Sequence, residues 1–238
     1  MKKIIKLFIK IIAVVAILVF ALCIYAADYY RADGVDKYMK SKGDVTVSEI
    51  SEGYLFDGPG EDNALIFYPG AKVEETAYAP LMRRLAENGV DCFLIKMPLR
   101  LAFLGFNKAN GILRRYDYEH YYLSGHSLGG AMAAYNASKH LKAYSGLFLL
   151  GSYTANCLKD APFPVIYIYG ENDAVLSRKS LERGFTLSPG GYEEIVIEGG
   201  NHAQFGSYGK QRGDGEAAIT AEEQQKETVD AILATING

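Results

Sequence analysis

A short apolar run that ends in a glycine, followed at once by a small-residue helix, constrains this chain more than any other feature. Residues Tyr121–Ser124 have the apolar character of a strand, and Leu128–Ala134 have that of a helix built from small side chains. Between them Ser127 lies in the pattern G-x-S-x-G, flanked by Gly125 and Gly129. Glycines at both positions avoid side-chain clashes across a sharp strand-to-helix turn, so we predict a turn that presents the Ser127 hydroxyl above the edge of a sheet. The alternative is a serine that only caps a helix.

A serine hydroxyl is a weak nucleophile at neutral pH, so it needs a base to take its proton and an acid to orient that base. The strand Val165–Tyr169 ends in a turn that contains Asp173, which we predict to be the acid, with Glu171 as the alternative. The strand Glu194–Ile197 runs into a glycine-rich loop that carries His202, which we predict to be the base. Serine, aspartate and histidine then follow one another in the order expected when the nucleophile lies on a strand-to-helix turn.

Two backbone amides are expected to bind the oxyanion that would form at such a serine. The first is the amide of Leu128, at the start of the predicted helix. The second is the amide of Ala71, in the loop after the strand Ala64–Tyr68, where Gly70 allows close approach. Lys72 follows in that loop, and it is either solvated or in contact with an anionic substrate in the pocket.

The other histidines are assigned no proton transfer. His126 precedes the serine and should point away from it, so we expect it to support the turn. His120 and His140 are expected to be packed or surface residues.

Apolar strands alternate with helical patterns along the body of the chain, which predicts an α/β fold with a mostly parallel sheet wrapped on both faces by helices. The predicted strands are Val45–Ile50, Tyr54–Phe56, Ala64–Tyr68, Val90–Lys96, Tyr121–Ser124, Ser145–Leu150, Pro164–Tyr169 and Glu194–Ile197. The first two are separated by a short turn and predict an antiparallel hairpin at one edge. We expect a helix over Glu75–Asn88 and another after Thr220, where the spacing to Glu223 matches a capping box.

Two segments bear on the substrate. Only Gly151–Phe163 separate two of the predicted strands, so we expect no large cap domain and a site that is open from that side. The stretch Leu99–Tyr116 is apolar, which favours helix packing, whereas in a second interpretation Leu101 and Phe103 wall an acyl pocket.

The first 27 residues form a separate segment. Lysines at positions 2, 3, 6 and 10 precede or interrupt its start, and Ile11–Ala27 carry no charge. With the apolar residues before Lys10 the apolar length reaches about 20 residues, enough to span a bilayer. We predict an uncleaved membrane anchor with its N-terminus in the cytoplasm and the rest outside, because the flanking charges are positive. A cleaved signal peptide, which would give a secreted protein, and a buried helix are the alternatives. Residues 28–44 would then form a connector and residues 45–238 a catalytic domain.

Charge and cysteine content exclude several classes of protein. The formal net charge is −3, and setting aside the four N-terminal lysines leaves the rest at about −7, which argues against nucleic-acid binding. Of the cysteines at positions 23, 92 and 157, Cys23 lies in the apolar segment and Cys92 in a predicted buried strand, so no disulfide framework is expected. The sequence contains no metal-ligand spacing such as C-x-x-C or H-E-x-x-H, and we expect neither a metal nor a cofactor.

From about Ala64 to the C-terminus the chain resembles an α/β-hydrolase, in particular its small bacterial members. The motifs that carry the resemblance are Tyr68-Pro69-Gly70-Ala71-Lys72-Val73, Gly125-His126-Ser127-Leu128-Gly129-Gly130, Gly170-Glu171-Asn172-Asp173 and Gly199-Gly200-Asn201-His202-Ala203-Gln204-Phe205-Gly206. The resemblance implies hydrolysis of an ester or a related acyl bond through an acyl-serine intermediate. Pro69 departs from many relatives, which carry histidine there, and Ser127 departs from those dienelactone-hydrolase-like relatives that use cysteine as the nucleophile.

Together these features predict a membrane-tethered serine hydrolase that acts on a small-molecule acyl substrate outside the cytoplasm. Acyl transfer to an alcohol is one alternative, and a non-catalytic binding domain on a hydrolase scaffold is another, since a fold does not determine a function. The oligomeric state stays open at this stage.

Overall fold

Residues 2–238 are described by a computed structural model, apart from the side chains at positions 2–5, 7, 18 and 23. The chain begins with a helix, α1, over Lys2–Ala27. By length and composition the stretch Phe8–Ala27 is sufficient to cross a membrane, and a signal sequence has the same features. None of its described side chains is buried against the rest of the protein.

One sheet of eight strands organises the rest of the chain. In chain order the strands are β1 (Thr46–Ile50), β2 (Gly53–Asp57), β3 (Asn63–Tyr68), β4 (Val90–Ile95), β5 (His120–His126), β6 (Gly146–Leu150), β7 (Val165–Gly170) and β8 (Glu193–Ile197). Their order across the sheet is β1-β2-β4-β3-β5-β6-β7-β8. Strands β3 to β8 are parallel to one another, while β2 is antiparallel to both β1 and β4. The predicted mostly parallel sheet with a hairpin at one edge is therefore confirmed.

The central strands are apolar on both faces because each face is covered by a separate hydrophobic core. In β3 the side chains of Leu65 and Phe67 belong to one core, while Ala64, Ile66 and Tyr68 belong to the other. This alternation follows from the two-residue period of a strand. A strand with a core on each side has a continuous run of apolar residues, which is why these strands could be predicted from the sequence.

Five helices cover the two faces of the sheet. They are α2 (Ala79–Glu87), α3 (Ala109–Arg115), α4 (Leu128–Lys139), α5 (Arg178–Leu187) and α6 (Ala221–Asn237). Helices α2 and α6 contribute to one core, and α3, α4 and α5 contribute to the other. The predicted helix from Glu75 begins with a 3₁₀ turn, Glu75–Tyr78, and becomes α-helical where Pro80 occupies its first turn. The capping box at the start of α6 is confirmed, with Thr220 and Glu223 bonded reciprocally.

Three connections shape the edge of the sheet at the carboxyl ends of its parallel strands. The segment from Gly151 to Pro164 joins β6 to β7 directly, so the expected absence of a large cap is confirmed for the part of the chain that the structure describes. The apolar stretch Leu99–Tyr116 forms two 3₁₀ turns, Pro98–Arg100 and Ala102–Leu104, before α3. The connector 28–44 consists of turns and two isolated β-bridges, one of which pairs Tyr30 with Val73.

The cysteines form no disulfide among the described side chains. Cys92 is buried in β4 and Cys157 is exposed, and both are free thiols. The side chain of Cys23 lies outside the described part of α1.

Candidate active site

Ser127 occupies the sharp turn between β5 and α4. Its backbone has φ 53° and ψ −125°, in a region that residues other than glycine rarely adopt. The turn is fixed from both sides, because the Ser127 amide donates to the Leu150 carbonyl at 2.9 Å. The Ser127 carbonyl accepts from the Ala131 amide at 3.2 Å and from the Ser152 hydroxyl at 2.7 Å. A strained residue held by three hydrogen bonds is typical of a functional position.

The two glycines of the G-x-S-x-G pattern have the steric role that the sequence predicts. A Cβ atom on Gly125 would lie 2.6 Å from the carbonyl carbon of Gly129. A Cβ atom on Gly129 would overlap the carbonyl oxygen of Tyr68, at the end of β3. The elbow therefore fits only because neither position carries a side chain.

His202 and Asp173 form a buried pair beside this turn. The Nδ1 atom of His202 lies 2.8 Å from Oδ2 of Asp173, and the exposed fractions of the two side chains are 1% and 0%. The other oxygen of Asp173 accepts from the amides of Val175 and Leu176 at 2.9 and 2.8 Å. The carboxylate is thus hydrogen-bonded on both oxygens, which fixes its orientation in a buried position.

The alternative acid, Glu171, faces elsewhere. Its carboxylate accepts from the amide of Gly199 at 3.0 Å, and the residue is exposed. Of the two carboxylates in the turn after β7, only Asp173 reaches the His202 ring.

The carboxylate partner determines the tautomer of His202. An ionised aspartate only accepts, so the proton of the neutral ring lies on Nδ1 and the lone pair lies on Nε2. Nε2 makes no hydrogen bond to any described residue. His202 and Ser127 line the same cavity of about 240 Å³. Its other lining residues are Leu128, Ala131, Gly151, Ser152, Tyr153, Val175, Leu176 and Ser177.

Asp214 holds the loop that carries His202, a role that was not predicted from the sequence. One of its oxygens accepts from the amides of His202 and Gly215 at 3.2 and 2.8 Å. The other accepts from the amide of Ala203 at 2.8 Å. The only sequence signal was an aspartate between Gly213 and Gly215, and that pattern is common in surface turns.

Gly151 is a second residue of the site that was not predicted from the sequence. It follows β6 with φ 51°, and a Cβ atom there would lie 2.9 Å from Nδ1 of His202 and 3.1 Å from Oδ2 of Asp173. The backbone of Gly151 therefore packs against the hydrogen bond between the two side chains. A glycine at the carboxyl end of a parallel strand was the available signal, but many such glycines only make turns.

The amides predicted to bind an oxyanion come from Leu128 and Ala71. Both residues are partly exposed, and the hydrogen bonds found within residues 2–238 use neither amide. For Leu128 this follows from its position as the first residue of α4, where a backbone N–H has no partner within the helix. Leu128 lines the cavity that contains Ser127, whereas Ala71 is not among its lining residues. An unused backbone N–H group is able to bind a developing negative charge, so both amides stay predicted donors.

Tyr78 and His126 connect the loop after β3, which carries Ala71, to the elbow. The Tyr78 hydroxyl accepts from the Gly70 amide at 3.1 Å and lies 2.8 Å from Nδ1 of His126. The tautomer of His126 determines which of the two atoms donates in this second hydrogen bond. The sequence pattern places Tyr78 only on the apolar face of a helix, because its polar contact depends on tertiary structure.

His126 is fully buried, and its ring centroid lies 4.4 Å from that of His202. Burial lowers the pKa of His126 well below its ordinary value, and electrostatic repulsion from His202 lowers it further. The ring is therefore neutral and places no positive charge beside His202. That His126 supports the turn stays a prediction.

The residues predicted for the substrate pocket lie apart from the cavity. Lys72 forms an ion pair with Asp28 at 2.6 Å, and its ammonium lies 4.5 Å from the centre of the Tyr25 ring. Leu101 is buried and Phe103 is exposed, and neither lines the cavity that contains Ser127. Within the described residues, no group of three or more His, Cys, Asp or Glu side chains is arranged to hold a metal ion.

A comparison with protein families assigns the fold. The family model described as "Alpha/beta hydrolase family" matches residues 64–226, which include the elbow, the acid turn and the histidine loop. The chain belongs to the alpha/beta hydrolase family. A search of curated proteins found no significant match to the chain.

Several alpha/beta hydrolase-like structures have the same architecture. TT1662 from Thermus thermophilus has a TM-score of 0.60 at 12% identity, over 82% of this chain and 99% of that chain. A dienelactone hydrolase from Anabaena variabilis has a TM-score of 0.60 at 12% identity, over 81% and 99%. Est1E from Butyrivibrio proteoclasticus has a TM-score of 0.59 at 13% identity, over 82% and 100%. At these identities the similarity shows the fold of this alpha/beta hydrolase, while its chemistry has to be argued from its own side chains.

Proposed function

We propose that this chain is a serine hydrolase that cleaves a carboxylic ester or a related acyl bond through an acyl-serine intermediate. The observation that carries the proposal is the buried His202–Asp173 pair, joined at 2.8 Å, with the free Nε2 of His202 and the Ser127 turn in the wall of one cavity. Membership of the family supports hydrolysis in general, and the arrangement of these side chains supports this particular mechanism.

In the first half-reaction, Nε2 of His202 accepts the proton of the Ser127 hydroxyl as Oγ bonds to the acyl carbon. The carbonyl electron pair moves onto oxygen, and the amides of Ala71 and Leu128 donate to the resulting anion. When the tetrahedral intermediate collapses, the bond to the leaving oxygen breaks and the imidazolium returns its proton to that oxygen. Asp173 keeps the ring oriented and stabilises its transient charge throughout.

In the second half-reaction, a water molecule takes the place of the leaving alcohol. Nε2 accepts a proton from the water as its oxygen bonds to the acyl carbon, and the same amides bind the second oxyanion. Collapse breaks the bond to Ser127 Oγ, which regains its proton from His202, and the carboxylic acid leaves. The neutral His126 ring favours both steps, because a cation at that position would oppose protonation of His202.

Covalent labelling by a fluorophosphonate probe tests this mechanism. The full-length protein should be labelled, Ser127→Ala should lose labelling, and Asp173→Asn should slow it by about 10⁴-fold, because the ring would lose its correct tautomer. Ser177→Ala is the matched control, since Ser177 lines the same cavity but its hydroxyl caps α5. Labelling of the Ser127→Ala variant at the original rate, or no labelling of the folded protein, would contradict the proposal.

We also propose that α1 is an uncleaved membrane anchor with its N-terminus in the cytoplasm and the hydrolase outside. The support is the length and apolar composition of Phe8–Ala27 together with the lysines that precede it. Mass spectrometry of the mature protein should find the N-terminal segment intact. A chain that begins near Ala27 would instead indicate a cleaved signal sequence.

A further inference from the structure

The connector after α1 is fixed to the loop after β3, which carries Ala71. The Tyr30 amide donates to the Lys72 carbonyl at 2.7 Å, and the Glu74 amide donates to the Tyr30 carbonyl at 2.9 Å. These bonds make the parallel bridge between Tyr30 and Val73. Helix α1 ends at Ala27, so at most about 10 Å of extended chain separates it from this bridge. The end of α1 and the loop of Ala71 are therefore close neighbours.

The loop after β4 joins the same assembly. The Lys72 amide donates to the Arg100 carbonyl at 2.9 Å. The Arg100 guanidinium lies over the Tyr29 ring, 3.4 Å from its centre, and the Arg31 guanidinium lies 4.6 Å from the same ring. Aromatic rings and cations that meet at the end of an apolar helix are typical of the boundary between a membrane and water.

This loop also exposes apolar side chains. The exposed fractions are 40% for Leu99, 49% for Phe103 and 47% for Leu104, and we name these three residues the apolar rim. In the described chain beyond α1, the only other large apolar residues with an exposed side chain are Val175 (38%) and Val196 (48%). Three of five therefore lie in one six-residue loop, beside the connector. A cluster of this kind marks an interaction surface, whereas a single exposed residue needs no explanation.

We propose that the apolar rim lies in the interface of the membrane that α1 anchors, and that the enzyme therefore takes acyl esters of amphiphiles resident in that membrane. The bilayer is a better occupant than a soluble partner, because only residues 28 and 29 lie between the end of α1 and the bridge at Tyr30. The loop that carries the rim is therefore brought to the membrane surface whenever α1 is inserted. The choice of substrate rests on the proposed hydrolase function. The contact with the membrane does not, because it depends only on α1, the connector and the rim.

Tryptophan fluorescence in vesicles tests the contact directly, because the chain contains no tryptophan. Full-length Leu104→Trp and Val196→Trp would each carry a single reporter at positions of nearly equal exposure, 47% and 48%, in the rim and in β8. In phosphatidylcholine vesicles with brominated acyl chains, emission of Leu104→Trp should be blue-shifted and at least about twofold more quenched than that of Val196→Trp. Either orientation of α1 in the vesicle gives this result, because the rim faces the nearer leaflet in both.

Equal quenching of the two reporters would overturn the membrane contact, even if hydrolysis depended on Ser127. A blue shift of Leu104→Trp that depends on protein concentration and not on brominated lipid would overturn it in favour of contact between two copies of the chain.

The substrate class needs an activity measurement with the double variant Leu99→Asn and Leu104→Gln. Asparagine suits position 99, where φ is 50°. Hydrolysis of a long-chain ester embedded in phosphatidylcholine vesicles should fall by at least about tenfold, since two apolar contacts are lost. Hydrolysis of a water-soluble short-chain ester should stay within about twofold, because neither residue lines the cavity.

Equal losses on both esters would overturn the substrate assignment, because the rim would then act through folding or chemistry. If the unmodified enzyme cleaves neither ester while Leu104→Trp is quenched by brominated lipid, the hydrolase proposal fails and the membrane contact stands.

Discussion

The Asp173–His202 half of the site is enclosed, whereas the half that contains Ser127, Leu128 and Ala71 is partly exposed. The histidine and aspartate side chains are almost inaccessible to solvent, and Asp214 holds the histidine loop through backbone amides. In the other half, Ser127 and Leu128 line the cavity, and the amides of Leu128 and Ala71 make no hydrogen bond within the described residues. In the proposed mechanism, the histidine base and the aspartate that orients it require a fixed geometry, while the groups that meet a substrate must remain accessible. The comparison predicts a large loss of activity from small changes in the enclosed half and a small loss from a change at Lys72, in the loop after β3.

Among substitutions that leave Ser127, Asp173 and His202 in place, the largest effect is expected from Gly151→Ala. The new methyl group would lie 2.9 Å from Nδ1 of His202 at a backbone position with φ 51°, so the His202–Asp173 bond must shift. A displacement of this size should lower kcat/KM for a soluble ester by about 100-fold. Gly190→Ala is the control, because a methyl group there would meet nothing within 4 Å and its φ is not positive. Full activity of a folded Gly151→Ala variant would show that the pair is not part of the rate-determining chemistry.

A smaller effect is expected from Asp214→Asn. The His202 and Ala203 amides donate to different oxygens of Asp214, and asparagine keeps only one oxygen because its NH₂ group accepts no hydrogen bond. One charged hydrogen bond is therefore lost from the histidine loop. The loss of about 1.5 kcal/mol should lower kcat/KM by about tenfold. Measuring kcat/KM across pH separates positioning from general destabilisation, because a displaced ring would also move the acidic limb of the profile. The exposed Asp160, replaced by asparagine, should change neither quantity.

The buried His126 links the two halves and should affect stability at acidic pH. Its pKa is lowered by burial, so below about pH 6.5 the unfolded chain binds a proton that the folded chain does not. Stability should therefore fall as pH decreases through that value, by about 1 kcal/mol between pH 7.5 and pH 5.5 from this residue alone. Thermal unfolding of the full-length protein in detergent should show a weaker acid dependence for His126→Gln than for the unmodified chain. His140→Gln, at an exposed position, should leave the dependence as it was.

The smallest effect is expected in the exposed half, from Lys72→Met. The ion pair with Asp28 reaches solvent on the carboxylate side, where 83% of the Asp28 side chain is accessible against 25% for Lys72, and ion pairs open to solvent contribute about 0–1 kcal/mol. The change in kcat/KM for a neutral soluble ester should be less than about threefold. Asp28→Asn removes the same ion pair while keeping the lysine. A tenfold loss in Lys72→Met alone would instead indicate that Lys72 contacts the substrate.

The fold was predictable because its signals are local. Each central strand is buried on both faces and so appears as an apolar run, and the elbow needs glycines at fixed spacing because two backbones approach each other there. Asp173 and His202 were accessible to prediction for a related reason. Parallel strands β7 and β8 end at the same edge of the sheet, so the turns that follow them converge.

The residues that were not predicted depend on contacts between distant parts of the chain. Tyr78 and His126 are 48 positions apart in the chain. The apolar pattern of the helix gave no sign that the Tyr78 hydroxyl would make a hydrogen bond to a distant histidine. Asp214 and Gly151 act on His202 from turns whose composition is ordinary. The connector was expected to be only a link between α1 and the sheet, because a single bridge between Tyr30 and Val73 has no periodic pattern.

In the proposed anchored state, in which copies are crowded in two dimensions, the two edges of the sheet have a further consequence. Each edge strand has only five residues and carries exposed charged or polar side chains, including Glu49 in β1 and both Glu193 and Glu194 in β8. Neighbouring copies that met edge to edge would bring these carboxylates together, so backbone pairing between molecules would be opposed by repulsion. The short acidic margins would therefore protect the protein from aggregation at high surface density.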